Sequence, residues 1–392
     1  MTATMALAYA EAENCWATWQ WTDRPHPEAC RLHPNVLVAV PAAMALTLPD
    51  AAEGESTGEA IDRARQGPFG TPEATVNLLD QLGDGLIPGE IVLALIDRAQ
   101  RDGRKPRLRI QPSPALAQVP WPLLRVRLNA DGSRRSWLAE VADVCLGVPR
   151  DVLADADPPT TGTTVVTVLD PRVPGHAADS ALGSVLGRPD PADPLAELIA
   201  RHGPRLVPAV TGYPDLVRRR DLDRHWLRSA LGEAARFLYV GHVSAAGVEL
   251  ATGESSAMHL CCVDDTGRHR PLTAAALLTE PGWRFPERVA LLGCGSGTDL
   301  RYPEPLGLTL AAVLRGARLV TSSIWTLPTD AALAGQPLRR LILAVDEAHD
   351  TADPVAALGR WQLERAEAWL AGGDEADSPL VWAAAATHLV DR

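Results

Sequence analysis

From residue 106 onward, apolar and polar positions fall into short blocks that follow a repeating order. Runs rich in apolar and β-branched residues occur at RLRI (107–110), TVVTVL (164–169), RFLYVG (236–241), RVALLG (288–293) and ARLVTSSIW (317–325). Helix-period stretches lie between several of them, notably LDRHWLRSALGEAARF (222–237) and LGLTLAAVLRGA (306–317). Strands that are apolar on successive residues are buried on both faces, and intervening helices supply the crossovers of a parallel sheet. The pattern predicts an α/β chain whose mostly parallel sheet is flanked by helices on both faces. Ligand sites in such sheets lie beyond the carboxyl ends of the strands. Here those positions hold His242 and Cys294.

Nearer the start, NVLVAV (35–40) predicts a short buried strand, and the polar, Gly/Pro-rich stretch 49–73 predicts a long loop or boundary. EATVNLLDQL and GEIVLALIDRAQ carry helical spacing. The expected division is an N-terminal region, 1–75, and a second domain, 76–392. CWATWQW (15–21) and residues 35–49 are apolar enough to pack. The first region is therefore expected to extend the sheet, mask a site or bind an activator.

Charge narrows the function. Thirty-seven Lys+Arg against 49 Asp+Glu give a net charge of −12, which disfavours nucleic-acid binding, where clustered positive charge is needed. Lys105 is the only lysine. The Arg- and Ala-rich usage suggests a bacterial origin. No apolar run approaches the roughly 18–20 residues of a membrane span, and the first residues lack a basic leader. The expectation is a cytoplasmic protein without a membrane partner. Its six cysteines follow no disulfide or zinc spacing and are expected to be thiols.

Cys294 follows a strand and sits between Gly293 and Gly295, where the backbone can turn and a substrate approach. A nucleophilic thiol needs a base to help it ionise. His242 lies 52 residues upstream at the same predicted sheet edge. The plainer alternative is a buried structural cysteine and an unrelated histidine. LLGCGSG also resembles the glycine-rich loop of S-adenosylmethionine-dependent methyltransferases. However, Leu291 stands where that loop wants an acid, and Thr321–Ser323 offer no carboxylate for a ribose. LILAVDEAHD (341–350) has the look of an ATPase acidic box but lacks a phosphate loop, and reads as a helix end with solvated charges. AMHLCCV suits a strand with small buried thiols. No metal or cofactor is expected.

Seven segments then match one family in order. They are RLRIQPSPALAQVPWPLL (107–124), TVVTVLDPR (164–172), FLYVGHV (237–243), PLTAAALL (271–278), VALLGCGSG (289–297), LGLTLAAVLRGARLVTSSIWTLPTDAA (306–332) and SPLVWAAAATHLV (378–390). Together they resemble CHAT proteins, the caspase-like cysteine peptidases related to separase. The resemblance implies a caspase-like fold with a His242–Cys294 dyad that cleaves a protein substrate through an acyl-enzyme. It also implies an oxyanion site of backbone N–H groups at Cys294 and beside His242, at Val243 or Gly241. Donors of this kind are worth about 2.7 to 4 kcal/mol each. The family's glycine after the histidine is replaced by Val243. Trp325 and Thr326 are expected at the substrate pocket, with Asp299 and Asp330 as the nearest acids for a basic residue before the cleavage site. By family analogy the setting is a bacterial stress or antiviral defence response, with a separate sensor or activator protein as partner. The alternative within the fold is an interaction or scaffold module without proteolysis.

Overall fold

The computed structural model describes residues 2–129, 132–149, 153, 156–180, 182–244, 256–296 and 307–390. These form two compact units, Met1–Gly147 with Asp350–Leu389, and Val148–His349 with Val390–Arg392. Residue 75 lies within the first of these units. In the first unit, strands Thr4–Glu11, Cys15–Trp21 and Arg24–Arg31 form an antiparallel meander. Its first strand pairs in parallel with Arg107–Gln111. The sheet continues in parallel through Asp143–Gly147 to Ala385–Leu389. The N-terminal residues thus extend the sheet.

NVLVAV is not a strand but the start of a helix, Val36–Thr47, which buries Val36, Val40 and Met44 at four-residue spacing. The polar stretch 49–73 holds a helix, Thr57–Gln66. Ser56 caps it by accepting the Glu59 N–H, while the Glu59 carboxylate reaches back to the Ser56 N–H.

The second unit carries the positions of chemical interest. Its strands run in the order Leu319–Ser323, Arg288–Leu292, Ala234–Val240, Thr164–Leu169 and Leu206–Val207, all parallel. Residues 319–323, 289–292 and 236–240 are buried without a break, so both faces of these strands are covered. The helix predicted over 222–237 stops at Leu231, and the chain enters the strand at Ala234. Three short strands, Val243–Ser244, Ala257–Met258 and Leu272–Thr273, make a separate antiparallel sheet. AMHLCCV contributes only Ala257–Met258 to it.

LILAVDEAHD lies in helix Pro337–Asp350, but its charges are not all solvated. The buried Asp346 carboxylate accepts from His202 Nε2 at 2.9 Å, Arg201 Nη1 at 2.9 Å and Arg236 Nη2 at 2.7 Å. Burial alone would raise its pKa. The His202 hydrogen bond and the Arg236 and Arg201 charges outweigh that and hold it below the ordinary carboxylate value.

Candidate active site

The strand Ala234–Val240 pairs with Arg288–Leu292 so that Val240 lies opposite Leu292. His242 and Cys294 each follow two residues beyond this pair, so they stand level past adjacent strand ends. Adjacent strands are about 4.8 Å apart. The Gly241 N–H extends the ladder to the Leu292 carbonyl at 3.2 Å. That bond corrects one expectation, because an N–H given to Leu292 is not available to an oxyanion.

Gly293 is fixed by space. A Cβ there would meet Gly241 O at 2.5 Å and Val243 Cγ2 at 2.7 Å. The following turn is tied on its other side, where the Gly295 N–H donates to the Trp325 carbonyl at 3.1 Å. Gly295 has φ +58°, the left-handed region that favours glycine. Ser296 Oγ donates to the Leu291 carbonyl and accepts the Ser323 N–H at 3.0 Å. Half-buried Cys294 is thereby held between the ends of two strands.

His242 is half-buried, and its Nε2 lies 3.2 Å from the Gly183 carbonyl. A carbonyl only accepts, so Nε2 carries the proton and the neutral ring keeps its lone pair on Nδ1. The backbone of His242 is also clamped. Buried Tyr239 donates its hydroxyl to the His242 carbonyl at 2.7 Å, and the His259 N–H reaches the same carbonyl at 3.0 Å. The His259 bond makes Val243–Met258 a non-hydrogen-bonded pair, which leaves the Val243 N–H outside this ladder. Among the described non-glycine residues, positive φ occurs only at Asp170, Arg218 and Gln336. Val243 therefore occupies the position without left-handed strain.

Burial lowers the His242 pKa. The Gly183 carbonyl and Asp170 act in the opposite direction, and Arg218 and His176 add to the lowering. The ring is consequently neutral near pH 7. Beside it runs a chain of neutral imidazoles. His269 Nδ1 donates to the Cys262 carbonyl at 3.0 Å, and His259 Nδ1 donates to His269 Nε2 at 2.9 Å. The remaining His259 Nε2 accepts from Ser244 Oγ at 3.0 Å.

Burial pushes His259 down to about 3, and His349, enclosed under the sheet with Arg236 nearby, also to about 3. The unfolded chain protonates these rings near 6.5 while the folded chain does not. Stability is therefore full above that value and is lost as pH falls toward the folded values. Each ring contributes roughly 1.4 kcal/mol per pH unit within the window. Thermal unfolding midpoints should fall steadily from pH 6.5 to 4.5, and a flat profile would contradict the neutral burial of these rings.

The expected substrate-pocket residues fare unevenly. Trp325 is fully buried, and Thr326 beside it is half-buried. Asp330 does not present an uncompensated charge. It accepts Arg339 Nη1 at 2.6 Å and the Leu338 N–H at 2.8 Å, which secures the start of helix Pro337–Asp350. Asp299 lies outside the described residues. The sequence reading missed Gly183, Tyr239 and Arg218. It quoted Asp170 only within the Asp-Pro segment, and the acid directly after a buried strand was the available signal.

The chain matches the CHAT domain family over residues 76–390. It belongs to that family. Two crystal structures of the Saccharomyces cerevisiae separase–securin complex, at 2.6 and 3.0 Å resolution, are similar to it, with TM-scores of 0.55 and 0.51. Each is 11% identical, covers 99% of this chain and 30% of the matched chain, so the likeness shows the caspase-like α/β fold. A comparison with curated proteins returned no match. Among the described residues, no helix is long and apolar enough to cross a membrane.

Proposed function

We propose that this chain is a cysteine endopeptidase in which His242 and Cys294 form the catalytic dyad. The observation that carries the reading is their level placement past paired strand ends, with His242 Nε2 tied to a carbonyl and Nδ1 left as the base. In the first step the Cys294 sulfur bonds to the scissile carbonyl carbon and its proton passes to His242 Nδ1. The same proton then goes to the amine as the C–N bond breaks. Water next gives a proton to His242 and a hydroxyl to the acyl carbon, and the C–S bond breaks to restore the thiol. The N–H groups of Val243 and Cys294 are the proposed oxyanion donors.

A non-proteolytic interaction module would be favoured by a strained Val243 in place of glycine and by the lack of an orienting group for His242. Val243 fits without left-handed strain, and the Gly183 carbonyl supplies the orienting contact. Leu291 and Thr321–Ser323, all buried at the strand ends, give the methyltransferase reading no carboxylate. The substrate is a protein, and a separate sensor or activator in a bacterial defence setting remains part of the proposal. A degenerate peptide library incubated with the full chain, with products read by mass spectrometry, tests the activity. Cleavage that requires Cys294 supports it, and cleavage indifferent to Cys294 overturns it.

A further inference from the structure

We propose that Asp170 is a positioning residue for His242, acting through the Gly183 carbonyl with Arg218 as a brace. The inference rests on the dyad reading and adds a third component to it. Asp170 follows strand Thr164–Leu169, whose end pairs with the histidine strand at Leu169–Val240. Its N–H donates to the Val240 carbonyl at 2.6 Å, which fixes it beside the chain leading into His242.

The buried carboxylate gathers one loop. It accepts from Ser184 Oγ at 2.5 Å, the Val185 N–H at 3.1 Å and the Leu186 N–H at 3.4 Å. Arg218 Nη1 lies 3.4 Å from the same carboxylate and donates to the Gly183 carbonyl at 2.9 Å. Gly183 O thus receives Arg218 on one side and His242 Nε2 on the other. The loop has no slack at this point, because a Cβ on Gly183 would meet Ala178 O at 2.2 Å and Ser180 O at 2.7 Å.

Backbone conformation sets these residues apart. Asp170 has φ +45° and Arg218 φ +53°, and the Arg218 N–H donates to the Asp170 carbonyl at 3.2 Å. Left-handed non-glycine residues persist only where their surroundings hold them, and they cluster at functional sites. Here two strained residues bond to each other, and one of them, Arg218, reaches the oxygen that orients the base. Every side-chain partner of Asp170 is a donor. An asparagine would turn an NH₂ toward at least one of them, so Asp170→Asn should loosen the loop even though the shape is kept.

Besides Cys294, the proposed dyad partner, the charged and titratable groups that face His242 are Asp170, Arg218, His176 and the His259 ring, 6.5 Å away between centroids. Losing Asp170 removes a group that favours the imidazolium and weakens a second, the Gly183 contact. The titration midpoint of His242 should therefore move to lower pH.

Imidazole ¹⁵N NMR of the full chain, with His242→Ala identifying the signals, reads both tautomer and midpoint. Wild type should hold His242 as the Nε2–H tautomer. Asp170→Asn should raise the Nδ1–H population about fivefold, the ratio expected from one lost hydrogen bond, and shift the midpoint to lower pH. Arg218→Lys keeps the charge but ends one bond short of Nη1, the single nitrogen that reaches both oxygens, and should raise the Nδ1–H population by less. A folded Asp170→Asn variant with the wild-type tautomer and midpoint overturns the proposal. If that variant does not fold, an unchanged tautomer ratio in Arg218→Lys overturns it instead. Failure of the dyad reading shows separately, as Cys294 reactivity that ignores His242 in a protein whose His242 tautomer is nonetheless fixed.

Discussion

Cys294→Ala should lower kcat/KM for any cleaved peptide by about 10⁴-fold or more, because no acyl-enzyme can form. The placement of the residue makes the prediction specific. Cys294 stands level with His242 past the Val240–Leu292 pair, and in the proposed dyad the Nδ1 lone pair of His242 is the base its thiol proton requires. Binding groups and oxyanion donors would survive the substitution and leave only residual catalysis over water. The fold should survive as well. Cys294 is half-buried, and truncation to alanine keeps the backbone bonds of its neighbours Gly295 and Ser296, so stability should change by within about 1 kcal/mol. Parallel turnover and thermal-unfolding measurements check both halves. Retained cleavage by a folded Cys294→Ala chain would show that the nucleophile lies elsewhere.

Gly293→Ala should damage the site without touching either side chain of the proposed dyad. The added methyl would lie 2.5 Å from Gly241 O and 2.7 Å from Val243 Cγ2, closer than real carbon contacts allow. Relief requires the histidine and cysteine strands to part at their ends. Overpacking of this kind costs about 1–3 kcal/mol, and a displacement of about 1 Å can cost roughly 10²-fold in rate. Adding Val243→Ala removes the Cγ2 clash but leaves the clash with the Gly241 carbonyl, so the double variant should recover part of the stability and less of the activity. Unfolding and turnover of the two variants check this. Wild-type values for Gly293→Ala would show that the turn has room the structure does not reveal.

The parallel strands were legible in the sequence because burial on both faces writes an unbroken apolar run, as in TVVTVL and RVALL. The same signal misled at NVLVAV. A five-residue apolar run without a polar face has no periodicity to read, and the helix there leaves Val38 and Leu46 exposed. The Ser56–Glu59 capping box was present in the sequence but sat among glycines that suggested a loop. The placement of His242 and Cys294 past neighbouring strand ends was legible because the apolar runs before them mark where the strands stop. Gly183 was not, since a backbone carbonyl has no side-chain signature and this one acts on a histidine 59 residues away. Asp330 looked available because its partner, Arg339, lies on a helix whose facing direction the sequence did not reveal.

The most direct test of the dyad is the rate at which iodoacetamide alkylates Cys294, mapped by mass spectrometry across pH in wild type and His242→Ala. Cys30 serves as the internal control, a half-buried thiol whose pKa burial raises. With His242 as base, Cys294 should react about tenfold or more faster than Cys30 at neutral pH. The rate should fall only below the ordinary histidine range, because burial lowers the His242 pKa. His242→Ala should abolish both the excess rate and the acid limb. Alkylation of Cys294 that follows the same pH curve with and without His242 would contradict the dyad.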